Sequence, residues 1–236
     1  MGRRFILAIF ALTLLISLAL TGQALAEDEK TQFMPILAYR TGPFAAGGSG
    51  FSSGIEDFME LRNMQGGVNG IKYSWEECET AYNTARGIEC YDRLKENMVL
   101  VHPLSTGITY ALIPKGTADQ KVIFSSGYGR ADASYGAVFP WVFTVPTNYW
   151  SQNSAKIKFI GKKMGGIDKL KGHKIGNLQI DVPYGQETKP MLDALAEKYG
   201  FEVTHFRVPS PGIDQKAQWM DIVRRYKADW VINRNW

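Results

Sequence analysis

Few side chains in this sequence are arranged to make or break bonds, but several are arranged to hold something small. Ser105 and Thr106 stand where an apolar strand pattern ends and a helical pattern begins. Short hydroxyls and free backbone N–H groups at a helix N-terminus suit an anion or a polar amide. The same pair also suits plain N-capping, and one residue can do both. Ser126-Gly127-Tyr128-Gly129 follows the next strand pattern. Glycine there lets backbone N–H groups approach a ligand, and Tyr128 can stack on it; an ordinary glycine turn explains the same residues. Catalytic arrangements are missing. The sequence has no G-x-S-x-G elbow, and its three histidines, His102, His173 and His205, sit in separate segments without metal-ligand spacing. Gly48-x-Gly50-x-x-x-Gly54 follows a strand, but eight residues separate Tyr39 from Gly48. A dinucleotide fingerprint turns at the strand end itself, so a dinucleotide-dependent enzyme is the weakest reading.

These residues need elements to position them, and the chain alternates strand and helix patterns. Residues 33–39 form an apolar strand, followed by a Pro/Gly/Ser-rich loop over 41–50 and a helical pattern carrying Ile55, Phe58, Met59 and Leu61. Gly66-Gly67 and Asn69-Gly70 close this first unit. Strands are expected at 71–76, 98–101, 122–124, 174–181, 201–208 and 230–233, with helices at 84–95, 106–117, 154–163, 186–199 and 214–226. Pro114 is expected to cut its helix short. Residues 138–145 read as a strand or a buried crossing, and Tyr149-Trp150 as a break. The fold class is therefore α/β, with two parallel-sheet lobes over 31–148 and 151–236.

Residues 1–26 stand apart. Arg3-Arg4, the apolar run 5–20 and Ala24-Leu25-Ala26 have the layout of a secretory signal peptide, which leaves 210 residues and places the chain outside the cytoplasm. Removing both arginines leaves 25 basic against 23 acidic side chains, a balance that does not suggest nucleic acid. In an oxidising compartment Cys78 and Cys90 suit a disulfide; two buried free thiols are the alternative. The apolar stretch 229–232 reads as a strand close to Trp236, so the protein is expected to continue beyond it.

Several segments together resemble the solute-binding proteins of bacterial ABC importers, the branched-chain amino acid and amide group of type I periplasmic binding proteins. They are TGPFAAGG and its helix ending GGVNG, HPLSTGITYAL, SSGYGR, FPWVFTVPTNYWSQ, VPYGQE and PGIDQKAQW. The resemblance implies two Rossmann-like lobes joined by a hinge, the second incomplete here, that close on a small ligand. It implies a membrane permease as partner, a monomer, no cofactor and no catalysis. Residue by residue, it implies ligand contacts from Ser105, Thr106, Ser126, Gly127 and Tyr128, a tyrosine closing over the ligand at Tyr184, and an aromatic wall at Trp236. Thr41, Phe44 and Gly48 are weaker candidates. The ligand it implies is a branched-chain amino acid, an amide or a related carboxylate. A receptor module of the same fold is the alternative.

Overall fold

The computed structural model describes residues 30–126 and 129–235. The signal segment, Gly127, Tyr128 and Trp236 lie outside the described residues.

The first sheet is parallel. Strand β1 (Thr31–Ala38) pairs with β2 (Lys72–Glu79), while β3 (Leu100–Val101), β4 (Val122–Ser125) and β5 (Val142–Thr144) pair in sequence. A parallel bridge between Ile36 and His102 joins β1 to β3. The order is therefore β2-β1-β3-β4-β5, a doubly wound sheet whose direction of winding reverses between β1 and β3. Helices α1 (Ala45–Met64), α2 (Thr84–Leu94) and α3 (Thr106–Asp119) connect the strands. Leu37, Tyr91, Val101, Ile108, Leu112 and Ile123 form its main core.

The second sheet starts after helix α4 (Tyr149–Lys163). Strand β6 (Lys174–Ile180) lies between β7 (Glu202–Val208) and β8 (Trp230–Arg234), all parallel. A short helix α5 (Pro183–Gln186) and helix α6 (Lys189–Tyr199) follow β6; helix α7 (Lys216–Met220) runs into a wide-turn helix over Asp221–Tyr226. Ile157, Ile160, Ile175, Leu192 and Ile232 pack one face, and Leu178, Val208 and Ile222 the other. β6 is buried on both faces even though Asn177 and Gln179 interrupt its apolar residues.

Several expectations need correction. The glycine-rich stretch is not a loop up to Gly50: α1 begins at Ala45 and contains Gly47, Gly48, Gly50 and Gly54. Gly48 is there because any side chain would collide with the Tyr39 carbonyl and ring, so the stretch is a packing device and no phosphate cradle. Within α1, Ser52 and Met59 are buried, while Phe58 and Leu61 point outward. Pro114 does not end α3, because the residues around it (Leu112, Ile113, Gly116) are all buried and packing holds the helix through it. Tyr149 and Trp150 open a helix instead of breaking one: Asn148 caps α4, accepting from the Ser151 N–H at 2.9 Å. The helix expected over 186–199 is split, since Pro190 starts a new helix in its first turn. Only Val142–Thr144 of the 138–145 run is strand, and Val138, Phe143 and Val145 are exposed.

Candidate functional site

Parallel α/β sheets bind ligands at the carboxyl ends of their strands, where the winding reverses. Here that point in the first sheet lies between β1 and β3, and in the second between β6 and β8. The two points face each other. Between them is a cavity of about 140 Å³ lined by Tyr39, Phe51, Tyr82, Thr106, Tyr149 and Tyr184 among others.

The first sheet supplies Tyr39 from the end of β1, Tyr82 from the turn after β2, and Leu104 and Thr106 from the turn after β3. Hydrogen bonds from backbone and side chains fix these turns. Thr80 sends both its N–H and its hydroxyl to the Ala38 carbonyl at 2.7 Å. The Glu79 carboxylate gathers the N–H groups of Arg40 at 2.8 Å and Ala81 at 2.6 Å, and the Thr41 hydroxyl at 3.1 Å. Arg40 ties the end of β1 to Glu77 at 2.7 Å and to Ser53 and Glu56 of α1 at 2.8 and 2.7 Å. Held this way, Tyr82 and Leu104 adopt left-handed backbone conformations, with φ of 60° and 55°. Such geometry in non-glycine residues is costly and concentrates at binding sites. It turns the Tyr82 ring onto Tyr39 and Phe44, each edge-on at 5.0 Å.

The second half supplies Tyr149 from the start of α4 and Tyr184 from α5, edge-to-face at 5.6 Å. Tyr184 is held in place by Gly185, where a side chain would collide with the Ile180 backbone. Thr106, 1% exposed, meets Tyr149 across the cleft, hydroxyl to hydroxyl, at 3.2 Å. Burial pushes Tyr149 up to about 12 and raises Tyr82 further still, so both hydroxyls stay protonated at neutral pH and can donate. Arg234, at the end of β8, stacks on both second-half tyrosines. A second contact across the cleft runs from the Ala131 N–H to Glu187 Oε1 at 2.7 Å; Trp150 Nε1 donates to the Glu187 carbonyl at 3.1 Å. Beside the cavity lies an open groove of about 470 Å³ along Arg130, Trp150, Asp181 and Glu187. The smaller cavity is the better site, because aromatic rings enclose it at both winding reversals.

Of the residues singled out in the sequence, Thr106 and Tyr184 line this cavity. Ser105 is the N-cap of α3: its Oγ accepts from the Ile108 N–H at 3.4 Å. Ser126 is half-buried after β4 and is not among the lining residues. Gly127, Tyr128 and Trp236 lie outside the described residues. Thr41 and Phe44 support the turns, and Gly48 packs under Tyr39. Cys78 and Cys90 are bonded, Cα atoms 5.8 Å apart, pinning β2 to α2. Sequence reasoning missed Tyr39, Tyr82, Arg234 and Glu187. Aromatic or charged residues just past a strand's carboxyl end were the available signal. Among the described residues no group of three or more His, Cys, Asp or Glu is placed to hold a metal ion, and no helix is long and apolar enough to cross a membrane.

Comparison with known proteins agrees with this architecture. A protein described as an ABC transporter permease from the Pseudomonas fluorescens group is 39% identical, with a TM-score of 0.78 over 88% of this chain and 51% of its own. A fatty acid ABC transporter substrate-binding protein from Thermomonospora curvata is 21% identical, with a TM-score of 0.75 over 86% of this chain and 51% of its own. A branched chain amino acid ABC transporter protein from Thermus thermophilus, with bound valine, is 18% identical, with a TM-score of 0.72 over 87% and 52%. The chain thus spans about half the length of the solved structures it matches. No curated protein matches it. The family model described as periplasmic binding protein matches residues 31–236. Two parallel sheets with facing carboxyl edges and a match across nearly the whole described chain lead to one conclusion: this chain belongs to the periplasmic binding protein family.

Proposed function

We propose that the chain is the solute-binding part of an ABC importer, with lobes over 31–148 and 151–236. It captures a small ligand between its two sheets and presents the closed shape to a membrane permease. Residues 1–26 direct its export, so capture takes place in the periplasm. The observation that carries this reading is the aromatic, hydroxyl-lined cavity where both winding reversals meet. Among the described residues its lining is aromatic rings and hydroxyls, which suits holding a solute. Its volume of about 140 Å³ is below the roughly 300–1,000 Å³ of drug-sized sites. An amino acid, an amide or a short carboxylate suits it.

Thr106 and Tyr149 meet from opposite sides, so closing the cleft brings hydroxyls from both lobes onto one ligand. Thermal-shift screening against amino acids, amides and short carboxylates tests the reading. A ligand that binds only the native state raises the midpoint by mass action. One class is expected to raise it; no shift with any of the three would reject solute binding.

A further inference from the structure

Arg234 carries a buried charge that has no ion-pair partner among the described residues. It is 2% exposed at the end of β8. A buried guanidinium is costly unless a carboxylate and good hydrogen bonds accompany it. Here Nε donates to the Tyr184 carbonyl at 2.9 Å. The guanidinium carbon lies 3.8 Å from the Tyr149 ring centroid and 4.4 Å from that of Tyr184. The buried Nη2 has no hydrogen-bond partner, and none of the carboxylates paired with a cation among the described residues is paired with Arg234. Glu187, the nearby acid, is tied to the Ala131 N–H instead.

The surroundings add positive potential. Lys156 of α4 is a second, partly buried cation close enough for the two charges to repel. The N-terminus of α3 approaches from the other sheet, where Thr106 touches Tyr149. One turn along α4 from Tyr149, Asn153 is fully buried, and neither polar atom of its amide has a partner. The N-terminus of α3 thus meets Tyr149, the unpaired Asn153 amide lies one turn further along α4, and Lys156 adds a second positive charge near Arg234.

We propose that Arg234 makes this cleft selective for an anionic solute, its Nη2 edge taking a ligand carboxylate. This rests on the solute-binding reading and deepens it by naming the charge of the ligand. The guanidinium is planar, and the Tyr149 and Tyr184 rings crowd it from two adjacent sides, their centroids 5.6 Å apart, while its Nη2 edge is left with no acceptor. A carboxylate meets that edge with short, charge-assisted bonds. A neutral amide of the same shape leaves the cation unneutralised, so the cleft discriminates acid from amide. With the two sheets in contact the rings cover Arg234, so the ligand enters when they part and is sealed in when they close.

The test compares isovalerate with isovaleramide, and benzoate with benzamide, by calorimetry and thermal shift on the full chain. Wild type is expected to bind at least one acid tenfold or more tightly than its amide. Arg234→Met is expected to erase that preference without lowering the midpoint of the free protein, because it removes an unneutralised buried charge. Arg234→Lys is expected to keep part of the preference. Equal binding of acid and amide by wild type would overturn the anion proposal and leave solute binding standing. So would an Arg234→Met protein that is less stable yet keeps the wild-type ratio, since Arg234 would then be structural. If Arg234→Met does not fold, the wild-type ratio and Arg234→Lys decide. If no acid, amide or amino acid binds wild type, the solute-binding reading fails, and the anion proposal with it.

Discussion

Glu187 Oε1 accepts a hydrogen bond from the backbone N–H of Ala131 at 2.7 Å, so one half of the molecule holds the other through a carboxyl group. Burial pushes this carboxyl up from 4.5 to about 7, against the pull of the Ala131 N–H and the Arg234 charge. Between those two values the folded state holds a proton that the unfolded chain has released. Stability should therefore fall as pH rises from about 4.5 to 7 and level off above it. The whole shift corresponds to about 3 kcal/mol, and solvent screening at this half-buried site reduces it to about 1–2 kcal/mol. Melting wild type and Glu187→Gln at pH 5 and pH 8 measures the contribution. The variant should lack this part of the slope; identical slopes would show that Glu187 is not its source.

The Cys78–Cys90 bond closes a short loop between β2 and α2. Chain-entropy arguments give such a loop about 2–3 kcal/mol of stability. Reduction, or the double change Cys78→Ala and Cys90→Ala, should lower the unfolding free energy from chemical denaturation by that amount. Neither residue lines the cavity, so ligand affinity should be unchanged at temperatures where the protein stays folded.

Glycines within one helix should respond in opposite directions. An added methyl at Gly48 meets the Tyr39 carbonyl, whereas at Gly47 nothing lies within 4 Å. Gly48→Ala should cost about 1–3 kcal/mol by overpacking and disturb the Tyr39 wall. Gly47→Ala should stabilise by about 0.5–1 kcal/mol, through the unfolded state and helix propensity. Chemical denaturation of both variants distinguishes a packing glycine from a permissive one. Equal effects at the two sites would contradict the close approach at Gly48.

Thr106 and Tyr149 should be coupled energetically. Thr106→Val and Tyr149→Phe each remove one hydroxyl of a buried pair. A double-mutant cycle should return about 0.5–1.5 kcal/mol of interaction. A coupling near zero would mean that the two halves do not hold each other there.

Much of this fold is legible in the residue pattern, because strand and helix patterns alternate along it and helices α2, α3 and α4 begin at side-chain caps. The helix Thr84–Leu94 is a clear case: Asn83 caps it, accepting from the Arg86 N–H at 3.1 Å. Asn148 is an equally readable cap, but the aromatic pair after it draws the eye as a break. The glycines of α1 read as a loop because local propensity says nothing of the Tyr39 carbonyl against which Gly48 must fit. The site is less legible. Thr106 and Tyr184 stand at strand-to-helix junctions, where local pattern is informative. Tyr82 reaches the cleft through a left-handed backbone that no pattern announces. Arg234 ends an apolar strand, and only the placing of β8 beside β6 brings it against two tyrosines.

The indole of Trp150 has one further consequence. Its N–H donates to the Glu187 carbonyl beside the connection from β5 to α4, where the two sheets come together. An indole beside that seam, whose solvent exposure changes when the sheets part, is a built-in optical probe. Its emission should shift to longer wavelength on opening and back on closure, so cleft motion can be followed in real time without a label. Replacing the other tryptophans by phenylalanine would isolate the signal.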